Sequence, residues 1–286
     1  MSDEQSRHPL HDARQQGGHP LSDRVPEPEK PKGRGIPIPL GAEQPILTYT
    51  LIAINVVIFV IRYIMPELSN EILLWGYADT NAILQNREFY RLFTSMFLHF
   101  NEMHILFNMI ALNYIGSNLE RLFGHTRFAL IYILGGLFGS VLPLFFNSGG
   151  LGASGAVFAI WGAEVVFLYQ HRAIFGKAGR ARLQNSLVLM GFNFFIGFSA
   201  NALATVADSG VRIGNAAHFG GLLGGLILAW FIAPRFVVRK KTHPELGDDL
   251  PVEIVQTNDL NSNISEILFF VCGMVTLVIL AIFIRT

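Results

Sequence analysis

The 286-residue chain has one cysteine, Cys272, and few charges: 15% of its residues are Asp, Glu, Lys or Arg, against about 25% in soluble globular proteins. A single thiol excludes a disulfide framework and leaves no thiolate set for a structural zinc site. Acidic and basic residues number 21 each, so the formal net charge is zero. Without a basic surplus the chain lacks the charge that phosphate contacts need, and no nucleic-acid partner is expected. There is no H-E-x-x-H run, and neither a metal nor a cofactor is expected.

What is abundant is apolar. Hydrophobic residues make up 51% of the chain, with 24 phenylalanines. The charges are uneven. Residues 1–45 hold 6 Lys and Arg, 7 Asp and Glu, and 8 of the 13 prolines. That segment has too little apolar surface to offset its ordering entropy and reads as a disordered cytoplasmic tail. It also lacks the apolar region of a cleavable signal peptide. Beyond it, seven runs meet or approach the roughly 20 apolar residues that a helix needs to cross a bilayer. They are Ile46–Ile64, Thr94–Gly116, Phe128–Phe146, Ser154–Tyr169, Leu187–Leu203, Ala216–Ile232 and Ile267–Ile284. The expected fold is therefore an all-α integral membrane protein. Cytoplasmic loops collect Lys and Arg. With the N-terminus inside, 16 of the 21 basic residues fall in the tail or in the connections carrying Arg121 and Arg127, Arg172 to Arg182, and Arg235 to Lys241. The expected topology is N-in and C-out.

Polar side chains inside apolar runs are costly and mark functional candidates. Ser154 lies in Leu151-Gly152-Ala153-Ser154-Gly155-Ala156, at the start of an expected helix. Flanking glycines clear space around the hydroxyl, and a helix N-terminus favours developing negative charge. Both suit a nucleophile whose attack creates an oxyanion; small-residue helix packing is the alternative. His218 shares one helical face with Gly221 and Gly225, spaced i, i+3, i+7. Those glycines permit close approach of a neighbouring helix, so the imidazole is placed to act as base for a serine there or as a structural hydrogen-bonding group. His104 and Asn108 are spaced i, i+4 and offer two donors on one face, for an oxyanion or for helix–helix contact. With N-in topology, His104, Ser154 and His218 all fall in early turns of helices entering from outside, at one depth. Glu164 lies ten residues beyond Ser154, about 15 Å along the axis. That distance removes it from direct catalysis and calls for protonation or a partner such as a serine or a backbone group.

Together these residues resemble the rhomboid family of intramembrane serine proteases. Gly152-Ala153-Ser154-Gly155 looks like its nucleophile motif, and Ala217-His218 with Gly221 and Gly225 like its catalytic-histidine helix. His104 and Asn108 match its H-x-x-x-N helix, and Gly116, Glu120 and Gly124 its G-x-x-x-E-x-x-x-G motif. Tyr90-Arg91 stands where the family has Trp-Arg, and His99 precedes the motif histidine by five residues. The resemblance covers residues 46–233. It implies a six-helix core over those residues, a cytoplasmic linker at 234–263 and an additional transmembrane helix at 264–286. It implies a Ser154–His218 dyad that cuts transmembrane protein substrates near the outer side of the bilayer. Phe158 would stack on His218, and the Ser154 backbone N–H would hold the oxyanion with Asn108 and His104. The fifth helix and the loop near Asp208–Gly214 would form a gate and cap. The implied location is the bacterial cytoplasmic membrane. The alternative is a catalytically silent rhomboid-like protein that binds membrane clients. A transporter or channel is a further class, but no internal repeat is evident.

Overall fold

The structure is a computed structural model that describes residues 40–206, 214–240 and 252–285. The expected tail lies outside these residues except for its last few. The middle of the expected linker also lies outside them, as does the Asp208–Gly214 loop apart from Gly214.

The chain enters α1 (Ile46–Ile64) and then a connection carrying α2 (Pro66–Gly76), α3 (Thr80–Leu84) and α4 (Arg91–Thr94). Proline opens α2, where its missing N–H has no intrahelical role. Asp79 caps α3, its carboxylate accepting from the Ala82 N–H at 2.7 Å. Next come α5 (Glu102–Ala111), a π-helical turn at Leu112–Gly116, and α6 (Ser117–Phe123). After α7 (His125–Val141) follow α8 (Ser154–Gln170), α9 (Arg172–Val206) and α10 (Asn215–Ile232). Strands β1 (Phe236–Lys240) and β2 (Val252–Gln256) pair antiparallel, with Val238 opposite Ile254, and α11 (Ile264–Arg285) completes the described chain.

Among the described residues, five helices are long and apolar enough to cross a bilayer: α1, α7 with its extension to Phe146, α9, α10 and α11. The apolar α8 is shorter, at 17 residues. The second expected run is bounded differently. The backbone is extended at Leu98, and helix restarts only after Asn101, whose side chain accepts from the His104 N–H at 2.9 Å. From there helical structure continues to Phe123, where Gly124 at φ 79° stops it. The fifth run begins earlier than expected. The stretch from Arg172 holds good helix formers such as Ala, Arg and Leu, and it joins the apolar run across a kink at Gly176, φ 55°. Within the expected linker, β-branched residues on both sides form the β1–β2 ribbon, a small exception to an otherwise helical chain.

The centre of the molecule is α8, buried over most of its length between α7, α9 and α10. Small residues make that possible. A methyl group on Gly221 would fall on the Gly155 carbonyl, one on Gly225 on the Ala159 carbonyl, and one on Gly135 on the Ala159 methyl. In lipid, where no hydrophobic force drives helices together, such backbone proximity supplies the packing energy. At the opposite flank, the buried Glu120 of α6 accepts from the N–H groups of Leu47 and Thr48, each at 2.8 Å, and from Thr48 Oγ1 at 2.7 Å. It also pairs with His125. The first turn of α1 follows a proline that caps nothing, so its orphan donors are met by a carboxylate from another helix.

Candidate active site

The segment Gly149–Ala153 delivers Ser154 to the first position of α8. Gly150 pairs with Ala78, and the Gly152 N–H donates to the Ser95 carbonyl at 2.9 Å. Gly152 adopts φ 127°, a conformation that side chains resist, and a Cβ there would lie 2.7 Å from His104 Nε2. Glycine is thus required twice, for the turn and for the approach of the imidazole. Ala153 is the N-cap of α8 and has no side-chain cap. The N–H groups at the start of α8 have no intrahelical acceptor and lie at the positive end of the helix, where Ser154 sits.

His218 sits in the first turns of α10. Its Nε2 lies 2.9 Å from Ser154 Oγ. The ring stacks face to face on Phe158, centroids 4.5 Å apart and planes 12° apart. Phe158 lies one turn below Ser154 on α8, so one helix supplies both the hydroxyl and the surface that orients the imidazole. Nδ1 of His218 is buried and has no hydrogen-bond partner among the described residues. Among the described residues no carboxylate orients this histidine.

His104 lies in the first turn of α5. The Phe100 N–H approaches its Nδ1 at 3.5 Å. A bond of that sense leaves the proton on Nε2, the atom beside Gly152. Asn108 is buried one turn on and donates to the His104 carbonyl at 2.9 Å, which leaves a second amide hydrogen. His99, also buried, faces His104 edge-on at 5.0 Å, and its carbonyl accepts from the buried Arg62. The structure thus brings Ser154, His218, Phe158, Gly152 and His104 into one cluster, with Gly155, Gly221 and Gly225 forming the seam beneath it.

Three contributions emerge only with the structure. Arg182, expected in a connection, lies on α9 and pairs with Glu164, which Ser186 also contacts at 2.9 Å. The signal was the shared need of a carboxylate and a guanidinium inside apolar sequence. Phe194 of α9 packs 5.2 Å from Phe158 and 6.5 Å from the His218 ring; nothing in the sequence marks it among 24 phenylalanines. Trp75 of α2 stacks on Tyr90 at 4.7 Å, and Arg91 donates to the Tyr77 carbonyl at 3.0 Å. The connection before α5 is therefore tied by an aromatic pair and a guanidinium. Arg91 also holds the half-buried Glu88 carboxyl below the usual carboxylate range by hydrogen bonding.

A family model described as the Rhomboid domain matches residues 86–235. The rhomboid protease GluP of Bacillus subtilis (strain 168) is 32% identical over 65% of this chain and 34% of its own length. RHOMBOID-like protein 1 of Arabidopsis thaliana is 32% identical over 56% of this chain and 39% of its own length. The rhomboid protease AarA of Providencia stuartii is 29% identical over 68% of this chain and 75% of its own length. The alignment with the first two covers little more than a third of their length.

Proposed function

The chain belongs to the rhomboid family of integral multi-pass membrane proteins, and from that premise we propose that it is a serine endopeptidase cleaving transmembrane segments of other proteins. The observation that carries this reading is the 2.9 Å contact between His218 Nε2 and Ser154 Oγ. It occurs where two helices meet through glycines.

A serine hydroxyl is a weak nucleophile until a base removes its proton. Here Ser154 donates to Nε2, and the imidazole takes the proton as Oγ bonds to the scissile carbonyl carbon. The carbonyl oxygen becomes an oxyanion beside the Ser154 N–H at the positive end of α8. The second amide hydrogen of Asn108 and the Nε2–H of His104 are the further donors. Collapse of the intermediate breaks the C–N bond, and His218 returns the proton to the departing amine. Water, deprotonated by the same imidazole, then attacks the acyl carbon; the C–Oγ bond breaks, the acid product leaves, and His218 returns the proton to Ser154 Oγ. Phe158 keeps the ring plane fixed through both halves, a task that a carboxylate performs in soluble triads. No metal or cofactor enters this scheme.

In this reading α1, α5–α6, α7, α8, α9 and α10 are the six spans of a catalytic body over residues 46–233, and α11 is an added seventh. The N-terminus is cytoplasmic, the C-terminus is outside, and cleavage falls near the outer side of a bacterial cytoplasmic membrane. The distribution of Lys and Arg supports that orientation. A substrate helix hides its carbonyls in hydrogen bonds and must unwind locally before attack.

A fluorophosphonate that reacts with activated serines tests the nucleophile. Wild-type protein should be labelled on Ser154, and Ser154→Ala and His218→Ala should lose the label. Labelling should fade as pH falls and the imidazole is protonated. Equal labelling of wild type and Ser154→Ala would sink the reading.

A further inference from the structure

At the end of α8 remote from Ser154, an open groove of about 690 Å³ runs between helices. Its walls are apolar: Tyr169 of α8, Leu183 and Leu187 of α9, Trp230 of α10 and Phe269 of α11 contribute. The volume falls within the range of small-ligand sites, roughly 300–1,000 Å³. Within a bilayer such a groove is filled by hydrocarbon, and any chain would serve. The rim sets this one apart.

Guanidinium groups from α9 and from the turn after α10 stand at one end of it. Arg172 lies over the Tyr169 ring, 4.5 Å from its centroid, and donates to the Tyr169 carbonyl at 2.8 Å. Arg235 donates to the Trp230 carbonyl at 3.3 Å. Arg180 precedes Leu183 and Leu187 by three and seven residues, so it shares their face of α9 one turn nearer the rim. None of the three forms a salt bridge among the described residues. The bonds of Arg172 and Arg235 satisfy carbonyls at the C-terminal ends of two helices, but each uses few of the five guanidinium donors. Arg180 is exposed and performs no such capping. Guanidinium forks match phosphate oxygens in geometry as well as charge.

We propose that this groove binds an anionic phospholipid. One acyl chain lies along Leu187, Trp230 and Phe269, and the phosphate sits against Arg172, Arg180 and Arg235. The site lies at the opposite end of α8 from the hydroxyl, and the assignment does not depend on proteolytic activity.

Trp230 is itself the reporter. The full chain is reconstituted in phosphatidylcholine vesicles containing a minor fraction of either phosphatidylglycerol or phosphatidylcholine with brominated acyl chains, which quench indole fluorescence on contact. Brominated phosphatidylglycerol should quench more strongly at equal mole fraction, and Trp230→Phe should abolish the excess. Arg172→Gln, Arg180→Gln and Arg235→Gln should each weaken the preference about fivefold, and salt should weaken it further. Arg180 makes no described contact, so Arg180→Gln keeps the test decisive even where the other variants fail to fold. Equal quenching by both lipids would reduce the groove to an ordinary lipid contact. Quenching by neither would mean that protein covers it. Either result, or an excess untouched by Arg180→Gln, overturns the proposal.

Discussion

At Gly221 a single added methyl group would land on the Gly155 carbonyl, and at Gly225 on that of Ala159. Backbone cannot yield as the tip of a side chain does, so α10 would have to move away from α8. His218 rides on α10 and Ser154 on α8, and their 2.9 Å contact would open with that movement. A misplacement of about 1 Å in a catalytic constellation costs on the order of a hundredfold in rate. Gly221→Ala should therefore lower kcat by about that factor on a transmembrane reporter substrate. Gly273→Ala in α11, where nothing lies within 4 Å, should leave the rate unchanged. Comparable rates for the two variants would show that the glycine seam does not set the distance. The glycine spacing was plain in the sequence, as were the polar residues His104, Ser154 and His218 inside apolar runs. Which carbonyl each glycine faces was not, since that depends on how far two helices slide along each other.

Between elements, the pair joining α8 and α9 is asymmetric. Glu164 is 7% exposed and Arg182 41%. Loss of the carboxylate frees a guanidinium whose long stem can carry it toward a polar boundary. Loss of the guanidinium strands a buried carboxylate with only Ser186 for support. Breaking a buried pair from one side costs about 3–5 kcal/mol, and partial exposure of Arg182 puts Arg182→Ala near the lower end. Glu164→Gln should cost about 1 kcal/mol, because the amide retains partners of the same shape. Thermal unfolding of the purified variants in one detergent gives the order directly; equal losses would mean that solvent screens the pair. Phe194 lies three turns beyond Arg182 on the same helix, and it meets the Phe158–His218 stack. The clasp thus fixes the register in which α9 presents that ring. Glu164 was recognisable from sequence as a carboxylate in need of a partner. Its partner was hidden because Arg182 lies in a charged stretch that reads as loop, and only the kink at Gly176 turns that stretch into helix alongside α8.

On the scale of the whole molecule, α11 packs through one face, where Ile267, Met274, Leu277, Val278 and Ile282 are only partly buried against the core. Phe270 and Ala281 are its buried residues, Phe270 lying 5.5 Å from Phe138 of α7, while most of its surface is exposed. In a bilayer, lipid replaces such a helix with little loss, because acyl chains are as apolar as the side chains they displace. A chain ending after Gln256 should keep proteolysis within a few-fold of wild type in membranes. A loss comparable to that of Ser154→Ala would make α11 part of the catalytic body. By itself the sequence determined the membrane class, the mostly helical build and the family, since each rests on local signals: long apolar runs, and residue types at fixed short spacings. The tertiary structure decided what lies across helices. It brought Glu120 to the first turn of α1, Trp75 to Tyr90, and Arg182 to Glu164. It also arranged Tyr169, Leu187 and Trp230 into one groove. Such contacts follow from the rotation and height of each helix against its neighbours. In lipid these are set by close packing of small residues summed over a whole interface, which no single stretch of sequence encodes.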